Sequence, residues 1–164
     1  MARSFLTWEL VRGRFVQSLE GLNCEQLNWR LHPRALTIAE MAVHVAGVEV
    51  SFAAQLTDVR LEGELARLAM AATDGVVNDK PFPFVADELT PEKVSWCLAE
   101  GDRFARPLLE NPTADLRGKK IVSALGPVID GEGALARLAY HPGYHHGQAY
   151  LVMTAPGFPA GDRP

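Results

Sequence analysis

The chain has 164 residues, 48% of them apolar, which is enough for a single domain, residues 1–164, with one continuous core. Sixteen Lys and Arg against twenty Asp and Glu give a formal charge of −4, and no basic run is longer than the Arg117, Lys119, Lys120 cluster, so a nucleic-acid groove is not expected. The two cysteines, Cys24 and Cys97, lie far apart and outside any Cys-x-x-Cys spacing, which suits a reducing cytoplasm and suggests neither a disulfide framework nor a thiolate zinc knuckle.

The first element has apolar residues at Phe5, Trp8, Val11, Phe15, Leu19 and Leu22, a spacing that predicts a helix from Ser4 to Leu22. Arg3, Glu9, Arg12 and Arg14 interrupt this segment, so it lacks the apolar centre of a secretory signal. No stretch of the chain approaches the roughly 18 uncharged apolar residues of a membrane span. Thr37 and Glu40 form a Thr-x-x-Glu capping box, flanked by Leu36 and Met41 as a hydrophobic staple. A second helix is therefore expected from Ile38 to about Arg60, with Ile38, Met41, Val45, Val48 and Phe52 facing inward.

From Leu61 to Leu89 the pattern weakens to a connection, in which Glu64 to Ala72 could make a short helix before Gly75 and the Pro81-Phe82-Pro83 run. Thr90-Pro91 reads as the cap and first residue of a third helix ending near Glu110, with Val94, Cys97, Leu98, Gly101, Phe104 and Leu108 as its apolar stripe. Lys120–Leu125 and Val128-Ile129, on either side of Gly126-Pro127, suggest a small hairpin. The last helix is expected from Gly131 to Met153, with Ala134, Leu138, His141, His145, Gln148 and Val152 on one stripe. Four principal helices with long connections predict an all-α four-helix bundle, a fold whose inward-facing side chains can build a metal site. Trp8, Trp29 and Trp96 are candidates for a dimer face, although tryptophans at such positions more often belong to the core.

Histidines interrupt the core-facing rows. His141 and His145 are four apart, one turn along the same helix face, where two imidazoles can bind one ion; helix-face histidines satisfied by water or a core hydrogen bond are the alternative. His44, on the inward side of the second helix, adds a third neutral imidazole, and three such groups left unpaired in a core would be costly. Pro142 removes a backbone donor and clashes with the carbonyl near Leu138, which predicts a kink or break in the last helix. His146, turned by about 100° from His145, is expected outside the ligand set, in an outer-shell or interface role. Gln148 could orient a ligand or a water, and Glu40 is explained by its capping box before any role near a metal is needed. His32, beside Pro33, is given no role.

The order Thr37-Ile38-Ala39-Glu40-Met41-Ala42-Val43-His44, followed by His141-x-x-x-His145-x-Gly147-Gln148, resembles the DinB-like (YfiT-like) superfamily of bacterial metalloenzymes. The resemblance covers nearly the whole chain. It implies a four-helix bundle with a long second crossover, and one divalent ion, zinc or nickel, held by His44, His141 and His145. Where the family often carries Arg before Gly-Gln, this chain carries His146. The resemblance further implies a metal-dependent transferase acting on a small-molecule electrophile with a thiol of the bacillithiol or mycothiol type, and a homodimer. The alternatives are a non-enzymatic metal-binding stress or DNA-damage-response protein acting by sequestration or dimerisation, and a metal-dependent hydrolase. No His-Glu-x-x-His helix, Gly-x-Ser-x-Gly elbow or phosphate-binding glycine loop stands in the sequence, so catalysis would rest mainly on the ion, with the catalytic residues themselves unknown.

Overall fold

Side-chain caps set where most of the helices begin. A computed structural model describes residues 3–160, and no helix among them is long and apolar enough to cross a membrane. The described residues form seven α-helices and one two-stranded antiparallel sheet. The long helices are α1 (Arg3–Leu19), α3 (Ile38–Thr57), α5 (Pro91–Glu110) and α7 (Gly131–Met153). The shorter elements are α2 (Cys24–Asn28), α4 (Gly63–Met70), α6 (Ala114–Gly118), β1 (Lys120–Val122) and β2 (Val128–Asp130), with a 3₁₀ turn at Ala86–Glu88.

α1 stops at Leu19, short of the expected Leu22, because the chain reverses through Gly21 at φ 76°, a left-handed conformation that glycine adopts without steric cost. The short α2 was not expected. Its signal is an Asn-x-x-Gln capping box, in which Asn23 Oδ1 accepts from the Gln26 amide at 2.9 Å and Gln26 Oε1 accepts from the Asn23 amide at 3.1 Å.

α3 starts where the capping box placed it, with Thr37 Oγ1 accepting from the Glu40 amide and Glu40 Oε2 accepting from the Thr37 amide. It ends at Thr57 rather than Arg60, because Asp58 turns left-handed at φ 56°. This helix is buried on almost every side, since α4, α5 and α7 all pack on it. Gly47 permits a close approach of α4: a Cβ there would sit 2.6 Å from the Leu68 carbonyl oxygen and 3.2 Å from the Ala71 carbonyl carbon.

α5 begins at Pro91 under the Thr90 cap and ends at Glu110 as expected, but its buried stripe shifts by one residue near the end. Ala105 and Leu109 are buried, whereas Phe104 and Leu108 lie at the edge of the core. The short α6, capped by Thr113, was also not expected. The hairpin forms with Ile121 opposite Ile129, and its ladder stops at Val122, where Ser123 to Pro127 make the turn.

α7 runs unbroken from Gly131 to Met153, so the break expected at Pro142 does not occur and His141 stays helical. Pro142 is buried, and α1 packs along this helix, with Val11 3.4 Å from where a Cβ on Gly143 would stand. Packing of this kind offsets the one backbone bond that proline removes.

The core has two clusters, one around Phe15, Ile38, Val45, Leu89 and Val152, the other around Phe5, Trp8, Phe52, Leu109 and Leu138. Trp8 is fully buried, so it is core and not an exposed dimer face. Beside it, Glu49 accepts from Trp8 Nε1 at 2.9 Å and from Arg12 Nε at 2.8 Å, an ion pair that ties α1 to α3. Arg12 also donates to the Leu98 carbonyl, extending the tie to α5.

Candidate metal centre

Helix phase alone brings His141 and His145 to one face of α7, and the packing of α7 on α3 brings that face to His44. The candidate ligand atoms of these three histidines all lie within 4.8 Å of one another. His141 Nε2 is 3.1 Å from His44 Nε2 and 3.1 Å from His145 Nε2. The rings stand steeply to one another, at interplanar angles of 76°, 83° and 86°, as they do when their nitrogens point at a shared centre.

Their protonation follows from their neighbours. His44 Nδ1 lies 2.8 Å from the Ala71 carbonyl oxygen. A carbonyl can only accept, so Nδ1 carries the proton and Nε2 of neutral His44 is a bare lone pair. Burial lowers the pKa of His44, against a smaller opposing pull from that carbonyl. Burial, followed by the charges of His44 and His145, holds His141 well below its ordinary value. Burial, followed by the charge of His44, lowers His145 to about 3, while Gln148 raises it slightly. All three imidazoles are therefore neutral near neutral pH, the state that binds metal.

Three neutral imidazoles meeting at Nε2 cannot satisfy one another. With the His44 lone pair facing His141, at most one proton can lie between those two nitrogens, and that proton removes the acceptor that His145 would need. A cation among the three nitrogens resolves the conflict. The 3.1 Å separations are also close to the roughly 3.3 Å that two imidazoles span on one tetrahedral zinc with Zn–N bonds of about 2.0–2.1 Å. The donor set fits a divalent ion in a second respect. His141 Nδ1, His145 Nδ1 and Gln148 Oε1 are all buried without a hydrogen-bond partner among the described residues, and a metal-bound imidazole carries its remaining proton on Nδ1. Gln148, one turn beyond His145 on α7, raises the His145 pKa, as an oxygen facing the charged ring does.

The cluster opens onto a cavity of about 760 Å³, lined by all three histidines together with Met41, Val48, Phe52, Tyr144 and Gln148. Gln148 Nε2 donates to the Tyr144 hydroxyl at 3.1 Å. His146 neither joins the cluster nor lines the cavity. Glu40 stays with its cap and with Arg30, at 2.6 Å, and is also absent from the cavity wall. His32 sits at the rim, where its Nδ1 accepts from the Arg34 amide.

Sequence reasoning missed Ala71, whose carbonyl lies in the weakly patterned connection after α4 and gives no residue-type signal. It also missed Arg137 and Tyr144, which line the same cavity. Their positions four residues before and three after His141 carried a usable signal, since they fall on the same helix face. Compared with protein-family models, with curated proteins and with solved structures, the chain matches none.

Proposed function

We propose that this chain is a divalent-metal-dependent transferase that uses a low-molecular-weight thiol of the bacillithiol or mycothiol kind, built on a four-helix bundle of DinB-like type. One observation carries the reading: three neutral imidazole nitrogens converge at the wall of a cavity of about 760 Å³ instead of being sealed away from it. His44, His141 and His145 would hold the ion, and zinc or nickel suits their nitrogen donors. Three protein ligands leave a position open, where the ion would supply the Lewis acidity that keeps a thiol ionised near neutral pH.

The remaining work falls to the chain itself. The Ala71 carbonyl keeps the His44 proton on Nδ1 and so keeps Nε2 free. Met41, Val48 and Phe52 give the cavity an apolar wall that excludes water from a reactive thiol. The Tyr144 hydroxyl, occupied as an acceptor by Gln148, retains its own proton for a leaving group in the cavity.

The test begins with elemental analysis of untagged protein and continues with turnover of bacillithiol, then mycothiol, with a chromogenic electrophile. Stoichiometric zinc or nickel with turnover lost in His141→Ala is the expected result. Bound metal with turnover no faster than that of His141→Ala overturns the transferase reading in favour of a metal-binding stress protein.

A further inference from the structure

The wall of the same cavity carries a second polar feature that the histidines do not use. Arg137 lies on α7, one turn before His141, and lines the cavity. Its Nη1 is buried without a hydrogen-bond partner, and no ion pair among the described residues engages the side chain. By contrast, buried Arg12 is held by Glu49 and the Leu98 carbonyl, and the similarly half-buried Arg67 and Arg106 are paired with Glu88 and Asp102. Arg137 as a whole is half-buried, but a buried guanidinium N–H with no acceptor costs free energy, which an anion in the cavity would recover.

The surroundings favour a negative guest. The chain carries twenty acidic residues, yet none of those described lines this cavity, whereas both Arg137 and Arg34 do. A cationic cavity in an acidic protein concentrates anions from solution. The rest of the wall is mostly apolar, including Leu36, Val76 and Leu125, so a bare inorganic ion would leave most of it unfilled. A volume of about 760 Å³ suits a small organic molecule. Buried Ser123, in the hairpin turn, lines the same cavity, while on the other side Arg137 borders a shallow pocket that also holds Asp130 and Lys120, which pair with each other. Along the helix, Arg137 and His141 are separated by a rise of about 6 Å.

We propose that the cavity binds small organic carboxylates with an apolar body. The planar guanidinium of Arg137 takes the carboxylate in a paired, two-bond contact, the apolar wall takes the body, and the far end of the molecule faces the histidines. Only the last of these, the placing of a reactive end at the cluster, rests on the transferase reading; the carboxylate seat stands on Arg137.

Calorimetric titration at neutral pH, on metal-loaded and chelator-treated protein in parallel, separates the two. Hexanoate should bind about tenfold more tightly than 1-hexanol in both forms, and inorganic phosphate more weakly than hexanoate. Arg137→Gln should abolish the preference for hexanoate over hexanol, Arg137→Lys should keep part of it, and Arg103→Gln, which removes a surface charge paired with Glu100, should leave it intact. Zinc affinity of Arg137→Gln should stay within about twofold of the parent, and circular dichroism checks that the variant is folded. Equal binding of hexanoate and hexanol, no binding of hexanoate, or a preference that survives in Arg137→Gln overturns the proposal. Because the chelator-treated protein reads the carboxylate seat directly, a chain that bound no metal would still put Arg137 to the test.

Discussion

His44 turns its Nδ1 proton onto the carbonyl oxygen of Ala71 at 2.8 Å, and that bond decides which nitrogen of the ring is left for the cluster. The carbonyl belongs to the turn that ends α4, so the geometry of α4 against α3 sets the tautomer of a residue on α3. At Gly47 the two helices pack with no room for a side chain. In Gly47→Ala the new methyl would stand 2.6 Å from the Leu68 carbonyl and 3.2 Å from the carbonyl carbon of Ala71, so α4 has to retreat. The expected outcome is a stability loss of about 1–3 kcal/mol by urea unfolding. Zinc affinity should fall with it, although no ligand has been touched. Unchanged zinc affinity in a destabilised variant would show that Ala71 does not govern the site.

The ligands and their support should separate by magnitude. Gln148→Ala removes the amide that favours a charged His145 and lines the cavity beside it, and a loss of about 10–100-fold in metal affinity is expected. His44→Ala, His141→Ala and His145→Ala each remove a donor from a three-donor set and should each cost more than Gln148→Ala. His146→Ala should change affinity little, since His146 is outside the cluster. Competition against a chromogenic chelator measures all five.

In the metal-free protein the histidines also make stability depend on pH. The pKa of each lies below the ordinary value of 6.5 in the folded chain, as far as about 3 for His145, so below pH 6.5 the unfolded chain binds more protons than the folded one. Their contribution is fully present above pH 6.5 and is lost progressively as pH falls toward 3. Urea midpoints of chelator-treated protein should therefore drop through this window. The drop should be smaller in His145→Gln, which has no imidazole to protonate. An equal drop in both would place the acid sensitivity elsewhere.

The Glu49–Arg12 pair predicts a different pattern. Glu49 is 1% exposed, and burial pushes its pKa up against the pull of Arg12. Glu49→Ala leaves the Arg12 guanidinium and Trp8 Nε1 without their acceptor, at an expected cost of about 3–5 kcal/mol. Glu49→Gln, which still offers an oxygen, should cost less. The geometry of the cluster does not depend on this pair, so metal binding by the folded fraction should persist, as read by denaturant titration followed by zinc uptake.

Much of this architecture is written in local signals. Thr37 with Glu40, Thr90 with Pro91, and the apolar row on α7 set three long helices to within a few residues, because caps and helical periodicity are properties of neighbouring residues. Gathering the histidines required only that core-facing rows on α3 and α7 meet, which burial favours for any such pair of rows. What stayed hidden depended on tertiary context. Pro142 reads as a break in isolation, yet α7 continues through it under the packing of α1. Ala71 contributes a main-chain oxygen, which every residue has, so its type carries no message. Arg137 was legible in position but not in state, because lacking a partner is a fact about the whole fold.

His44 and His141, whose nitrogens meet at 3.1 Å, are 97 residues apart in the chain. An ion shared between them would be a removable cross-link closing more than half of the polypeptide into one loop, and closing a long loop restricts the unfolded chain far more than the folded one. Binding at many times the dissociation constant would add the matching increment to the unfolding free energy. The lifetime of this protein against proteases would then follow the supply of metal, so that the chain's abundance becomes a readout of the ion whether or not any substrate is present.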